Sequence, residues 1–365
     1  MSNSTASSVA PNPVTSPLRI GIRRVHLHKK VPLAIARGVS TGSDNLFVTV
    51  EQGAHRGIGE CAPGVAPATE ERDLLTRAEH GLHSFAEQMG GMAIRDIHAA
   101  GMQARIPAPA LAALDCALWD LRAKQASMTL YDLLGLSLPT VPTSVTVGLS
   151  APEQSRKRTR TLLEQTGAKA LKVKLGSPDG LAHDKAHFDA VRAAAAPFGV
   201  PLRVDANGGW SLRDAQSMLT WLATRDVAYV EQPLSPDADE DLVPLYRHRA
   251  LPIFIDESCR VARDVPRLAG RVDGVNLKLM KCGGITGALD IIATARASNL
   301  SVMIGCMGES SIGIAAAAAL TSAVDFIDLD AHLNLDPDPA AGSLLWEDGV
   351  VMPKARAGHG GRLRA

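Results

Sequence analysis

The 365-residue chain has no excess of either charge, since 38 lysines and arginines balance 38 aspartates and glutamates. That balance leaves no electrostatic footprint for nucleic acid or an anionic membrane. Basic clusters such as Arg156-Lys157-Arg158 read instead as the solvated face of a helix. Cysteine is scarce. Cys61, Cys116, Cys259, Cys282 and Cys306 are odd in number, widely spaced and set in apolar runs, with no CxxC pair. This argues against a disulfide framework and for buried thiols in a reducing compartment. No charged segment followed by an apolar run opens the chain, and no apolar run reaches membrane-spanning length. A cytoplasmic protein is therefore expected. Also missing is a glycine-rich phosphate turn after the first strand of the alternating part, which counts against an open dinucleotide-binding sheet.

What is present is apolar material, 46% of residues, enough for a sizeable core. Residues 1–17 are rich in Ser, Pro and Asn and are expected to form a disordered tail. Residues 18–140 read as an α+β unit, with strands RIGIRRVHLH, NLFVTVEQ and HRGIGECAP followed by helices. The stretch IARGVSTGSDN between the first two strands has the small polar residues of a mobile loop. In PALAALDCALWDLRAK, Leu111, Leu114, Leu118 and Leu121 recur at helical spacing. From 141 to 335 strand-like and helical runs alternate, with helices near 152–166 and 180–197 and an S-x-x-D start at Ser211 and Asp214. Successive apolar runs lie roughly 22 to 33 residues apart, the repeat of βα units in a barrel. The final segment, 336–365, contains SLLWEDGVVMPK, a hairpin turning at Asp348-Gly349 and expected to pack back on the N-terminal unit.

The order of charges at the ends of these runs points to chemistry. LKVKLG delivers Lys172 and Lys174, PLRVDANGGW Asp205, VAYVEQPL Glu231, LPIFIDES Asp256 and VNLKLMKCGG Lys278. VDFIDLDA ends in Asp328 and Asp330. An unpaired buried charge costs several kcal/mol, so charges at the ends of apolar strands need a reason. In a parallel barrel, inward residues at the C-terminal strand ends face the active-site mouth. Strand alternation puts Lys172 and Lys174 on one face, groups Asn276 with Lys278 and Met280, and pairs Asp328 with Asp330. Three carboxylates without a nearby His or Cys suit a hard cation, and Mg²⁺ is expected. A lone acid at a strand end is usually a helix cap or turn residue, and a K-x-K is usually a solvated edge. Three successive acids between lysines are harder to explain that way.

Taken in order, KVKLG, VDANGGW, VEQPL, DES and NLKLMKCGG resemble the enolase superfamily, specifically its muconate-lactonising-enzyme-like subgroup. GECAP and ALDCALWDL extend the resemblance into the N-terminal unit. The resemblance implies a (β/α)7β modified TIM barrel under an α+β cap built from the N-terminal region and the C-terminal segment. It implies Mg²⁺ on Asp205, Glu231 and Asp256, and removal of a proton α to a carboxylate. Lys174 and Lys278 would act on opposite faces of that carbon, with Lys172 adding positive charge. A Lys or His base beside Mg²⁺ is the general pattern of enolase-superfamily sites, so this pairing comes with the resemblance and is not read from the residues.

Within the subgroup, Asp328-Leu-Asp330 resembles the Asp-x-Asp with which dipeptide epimerases hold the substrate's α-ammonium. The implied reaction is inversion at the α-carbon of a dipeptide's C-terminal residue, as in L-Ala-D/L-Glu epimerases. Glu309, in GCMGESSIG, resembles the neighbouring loop of the same enzymes without an assigned role. Relatives acting on Ala-Glu place an arginine in the cap loop; here Ser40 falls there, with Arg37 nearby, so apolar or small C-terminal residues compete with glutamate. The alternatives are a cycloisomerase or o-succinylbenzoate synthase, which have little use for both Asp328 and Asp330. A non-catalytic metal-binding relative would be free to lose the lysines. His332 reads as structural or surface. The family implies a small-molecule substrate and frequent homo-oligomers, although no interface is evident.

Overall fold

The computed structural model describes residues 17–64 and 68–364. The expected disordered tail thus falls almost wholly outside the described residues. Strands β1 (Arg19–Ile35), β2 (Gly38–Gln52) and β3 (His55–Cys61) form an antiparallel sheet in sequence order. Helices α1 (Ala68–Ala86), α2 (Ile94–Gln103) and α3 (Ala108–Gln125) follow.

Buried residues occupy nearly every face of α3 because it lies between the cap sheet and the barrel helix Leu279–Cys282. Its approach to β3 is set by two glycines. A Cβ at Gly57 would lie 1.9 Å from the Ala117 carbonyl oxygen, and one at Gly59 would lie 2.0 Å from that of Ala113. Only a residue without a side chain permits that backbone contact. The stretch expected as a mobile loop is instead hairpin. After a bulge between His28 and Leu33, Leu33 pairs with Ser40 and Ile35 with Gly38. Ladder pairing carries small polar residues here that local preference alone assigns to a loop.

Eight parallel strands follow: β4 (Val145–Val147), β5 (Leu171–Lys174), β6 (Leu202–Asp205), β7 (Val227–Glu231), β8 (Ile253–Ile255), β9 (Gly274–Lys278), β10 (Ser301–Gly305) and β11 (Phe326–Asp328). They are hydrogen-bonded in order. The ring closes where the Ser144 amide donates to the Ile327 carbonyl at 3.0 Å, beside a parallel bridge from Thr143. Each connection carries helix, giving the (β/α)7β barrel. Among the described residues no helix is long and apolar enough to cross a membrane.

Three aromatic residues meet on the barrel floor. Tyr229, Phe254 and Phe326 meet with ring centroids 4.8 to 5.3 Å apart. Arg203 lies over two of these rings, and the Tyr229 hydroxyl donates to the Met303 sulfur at 3.3 Å. Edge-on packing of this kind fills the barrel axis with apolar surface beneath the charged layer.

The last two strands, β12 (Leu344–Glu347) and β13 (Val350–Pro353), form the hairpin, but it packs on the barrel and not on the cap. The Trp346 indole donates to the Thr166 carbonyl at 2.7 Å, and the Thr143 amide donates to Gly349 at 3.0 Å. A half-buried indole N–H needs a partner, and the free carbonyls at the end of helix Pro152–Thr166 supply one. The residues on either side of the hairpin reach the cap: the Asp336 amide donates to the His28 carbonyl at 2.9 Å, and the His359 amide donates to Asp120 at 2.9 Å.

Candidate active site

The barrel places one charged residue after another around its C-terminal rim. Lys174, Asp205 and Glu231 close β5, β6 and β7 and stand in mutual register. Asp256 follows β8 directly, and Lys278 and Asp328 close β9 and β11 with Gly305 in register between them. A Cβ on Gly305 would lie 2.8 Å from the Asn276 side chain and 3.1 Å from that of Lys278, so this glycine makes room for both.

Burial forces these groups to pair. The Lys172 ammonium, wholly buried, lies 2.7 Å from Asp328, 2.7 Å from Glu231 and 3.1 Å from Asp205. Lys174 contacts Asp205 at 2.5 Å. Asp256 is shared by Lys278 at 2.7 Å and Lys281 at 2.5 Å. Burial disfavours the Asp205 and Asp256 anions, yet Lys174 and Lys172 hold the first, and Lys278 and Lys281 the second, well below the usual carboxylate range. Glu231 goes the other way. Burial, then the neighbouring charges of Asp205 and Asp256, push its carboxyl up to about 7. Burial works against the Lys278 ammonium, but Asp256 more than offsets it and the group sits above its ordinary value.

The three carboxylates have the chemistry of a hard-cation site: all oxygen, all buried, from three consecutive strands. Glu231 Oε1 accepts from Asn276 Nδ2 at 2.7 Å, whereas buried Oε2 makes no hydrogen bond. The latter oxygen does lie 2.7 Å from the Lys172 ammonium, but outside hydrogen-bond geometry. A buried carboxylate oxygen left over in this way suits a cation. Among the described residues no His, Cys, Asp or Glu trio is already gathered as a ligand set, and the Lys172 ammonium contacts both Asp205 and Glu231.

Above this layer lies a cavity of about 190 Å³ between barrel mouth and cap. Lys174, Lys278, Asp328 and Asp330 line it from the barrel, and Leu33, Ile35, Arg37 and Ser40 line it from the β1–β2 hairpin. In the closed eight-stranded ring β5 and β9 stand four places apart, so Lys174 and Lys278 come from opposite sides. Asp328 is already engaged by Lys172 and by the Ser144 hydroxyl, which donates at 2.7 Å. Asp330 lies beyond the end of β11, where the Thr146 amide donates to its Oδ2 at 2.6 Å. Burial, then Asp328, raises its carboxyl to about 6.

Other expected residues are placed differently. Lys172 sits beneath the carboxylates and is not among the cavity's lining. Met280 belongs to the helical turn after β9, and its sulfur accepts from the Ala62 amide at 3.4 Å in the cap. Glu309 is buried and turned onto the Met307 amide, away from the cavity lining. Arg37 pairs with Glu257, and Ser40 accepts from Lys29 Nζ at 2.5 Å. His332 is largely shielded, its ring pushed down to about 4 by burial. Sequence reasoning passed over Lys281 and Lys29, and it read Arg158 as part of a solvated helix face, whereas Arg158 lines the cavity. The position of Lys281, three residues after Lys278 in one helical turn, carried a signal for the first of these.

Residues 19–135 match the mandelate racemase / muconate lactonizing enzyme N-terminal domain, and residues 154–365 match the enolase C-terminal domain-like family. The chain belongs to the mandelate racemase / muconate lactonizing enzyme family. Within that family it is 52% identical over 351 residues to a hydrophobic dipeptide epimerase of Roseobacter litoralis, covering 95% of this chain and 99% of that protein. It is 48% identical over 348 residues to a hydrophobic dipeptide epimerase of a Flavobacteria bacterium, with 95% and 99% covered. Among solved structures of the family, it resembles a dipeptide epimerase from Enterococcus faecalis complexed with Mg and the dipeptide L-Leu-L-Tyr. That structure has a TM-score of 0.86 and 31% identity, covering 96% of this chain and 100% of the other.

Proposed function

We propose that the chain is a dipeptide epimerase, acting in the cytoplasm on dipeptides whose C-terminal side chain is apolar. The observation that carries this reading is the placement of Lys174 and Lys278 on opposite sides of one cavity that also contains Asp328 and Asp330. The five free cysteines, four of them buried, accord with a reducing compartment.

In this reading Asp330, with Asp328 behind it, receives the α-ammonium, and the two lysines flank the α-carbon of the second residue. One lysine, as the neutral amine, takes the α-proton. The C–H bond pair remains on the carbon, delocalised into the adjacent carboxylate. The other lysine, as the ammonium, returns a proton to the opposite face and inverts the centre. Asp256 holds Lys278 as the ammonium, which suits it to the donor role in one direction. Asp205, Glu231 and Asp256 would hold Mg²⁺, which would neutralise the substrate carboxylate and take up the charge now bound to the lysines. The remaining residues exclude water: both lysines and all three carboxylates are at most 8% exposed.

The apolar preference rests on the cap wall. Leu33 and Ile35 face the cavity with Met307 opposite, while Arg37 is committed to Glu257 and Lys29 to Ser40. Arg37, whose charge Glu257 already pairs, is not left to receive a glutamate side chain. The test is a panel of L,L-dipeptides in D₂O with Mg²⁺, then after chelation. Ala-Leu and Ala-Phe are expected to exchange and epimerise with kcat/KM at least about tenfold above Ala-Glu, a difference of about 1.4 kcal/mol. Chelation should abolish turnover. No α-proton exchange across the panel would sink the proposal, and a preference for Ala-Glu would sink the specificity.

A further inference from the structure

Glu60, next to the end of β3, is 1% exposed, yet it belongs to neither the lysine–carboxylate layer nor the cavity lining. Its carboxylate is surrounded by donors from both domains. From the cap, Asn45 Nδ2 donates to Oε1 at 2.7 Å. From the barrel, the Ser310 amide donates to Oε1 at 2.9 Å, the Ser310 hydroxyl to Oε2 at 2.7 Å and the Gly313 amide to Oε2 at 3.0 Å. The barrel donors open the helix Ser311–Ala318, whose first amides have no partner within the helix.

Asn45 extends the contact to both cavity walls. Its Oδ1 accepts from Ser43 Oγ at 2.8 Å, and its Nδ2 also donates to the Gly308 carbonyl at 3.0 Å. Ser43 and Gly308 line the cavity from cap and barrel respectively. We propose that Glu60 is a positioning residue, clasping Asn45 and the start of helix Ser311–Ala318 on one carboxylate and so setting the spacing of the cavity walls. The proposal rests on reading that cavity as the dipeptide site. Charge-assisted hydrogen bonds in a dry junction are the strong kind, and one ion fixing four donors at once leaves little freedom between the domains.

Glu60→Gln tests this, because an amide nitrogen in place of either oxygen would face donors with a donor. KM for the preferred apolar dipeptide is expected to rise by about tenfold or more, with kcat within about threefold of wild type. Asn45→Ala should give the same split, and the double variant should fall short of the product of the two effects. In hydrogen exchange, amides of 43–47 and 307–313 should exchange faster in both variants while β5 to β9 stay as in wild type. A fall in kcat at unchanged KM, fully multiplicative effects, or unchanged exchange at 43–47 and 307–313 would overturn the clasp. If the wild-type protein epimerises no dipeptide, the functional reading fails, and the exchange comparison still decides the clasp. If Glu60→Gln does not fold, Asn45→Ala carries both measurements.

Discussion

Replacing each barrel-mouth lysine separately is the sharpest test of the two-faced site. Lys174→Ala removes the side chain from β5 and leaves Asp205 with Lys172 at 3.1 Å. Lys278→Ala removes the side chain from β9 and leaves Asp256 with Lys281 at 2.5 Å. Neither change strands a buried carboxylate, so both variants should fold, unlike removal of a sole partner, which costs about 3–5 kcal/mol. Because β5 and β9 oppose each other, each variant loses proton transfer on one face only. Epimerisation needs both faces and should fall by about 10²–10⁴-fold, the usual worth of a positioned acid or base. Exchange of the α-proton is a one-face event at its start. Followed by NMR in D₂O, one variant should retain exchange of the L,L-dipeptide and lose that of the L,D-dipeptide, and the other the reverse. Loss of the same epimer's exchange in both variants, or epimerisation within tenfold of wild type in either, would refute the two-faced reading.

Asp330→Asn should raise KM for free dipeptides by about tenfold or more with little change in kcat, since one oxygen of this carboxyl is held by Thr146 and the charge is what faces the cavity; dipeptides acetylated on the amine should bind poorly to both proteins, and steady-state kinetics check the pair. Glu309 gives a pH prediction. Burial, then Glu60, raises its carboxyl to about 8, so the folded state keeps a proton that the unfolded chain releases near the ordinary glutamate value. Stability should therefore be greatest at low pH in that window and fall by up to about 1.4 kcal/mol per unit until about pH 8, then level off. Urea midpoints from pH 6 to 9 would measure this, and Glu309→Gln should flatten the slope between about pH 7 and 8, leaving below pH 7 the part that Glu231, at about 7, contributes.

The barrel and its charged rim were legible because their cause is local. A strand of a parallel barrel is mostly apolar along its length, so Lys174, Asp205, Glu231 and Lys278 announce themselves as ions at the ends of largely apolar runs, Lys172, Arg203 and Asn276 being the polar residues inside them. Asp256 could be placed the same way, although its strand stops one residue earlier. What was not legible depends on partners distant in sequence. Lys172 and Lys174 share a strand face, but only the depth of each along the barrel axis puts one beneath the carboxylates and the other at the cavity. The hairpin around Ser40 looked like a loop because its pairing with Leu33 depends on a bulge several residues away. Glu60 sat in GECAP without a visible task, since its barrel donors lie some 250 residues downstream.

The aromatic floor has a consequence for traffic. With Tyr229, Phe254, Met303 and Arg203 filling the axis below the charges, the barrel is a blind vessel and not a conduit. Whatever enters the cavity from the cap side must also leave on the cap side. For a reaction whose product is the mirror-related partner of its substrate at one carbon, a shared door treats both directions alike. The rate at which that door admits and releases dipeptides then sets an upper bound common to forward and reverse turnover.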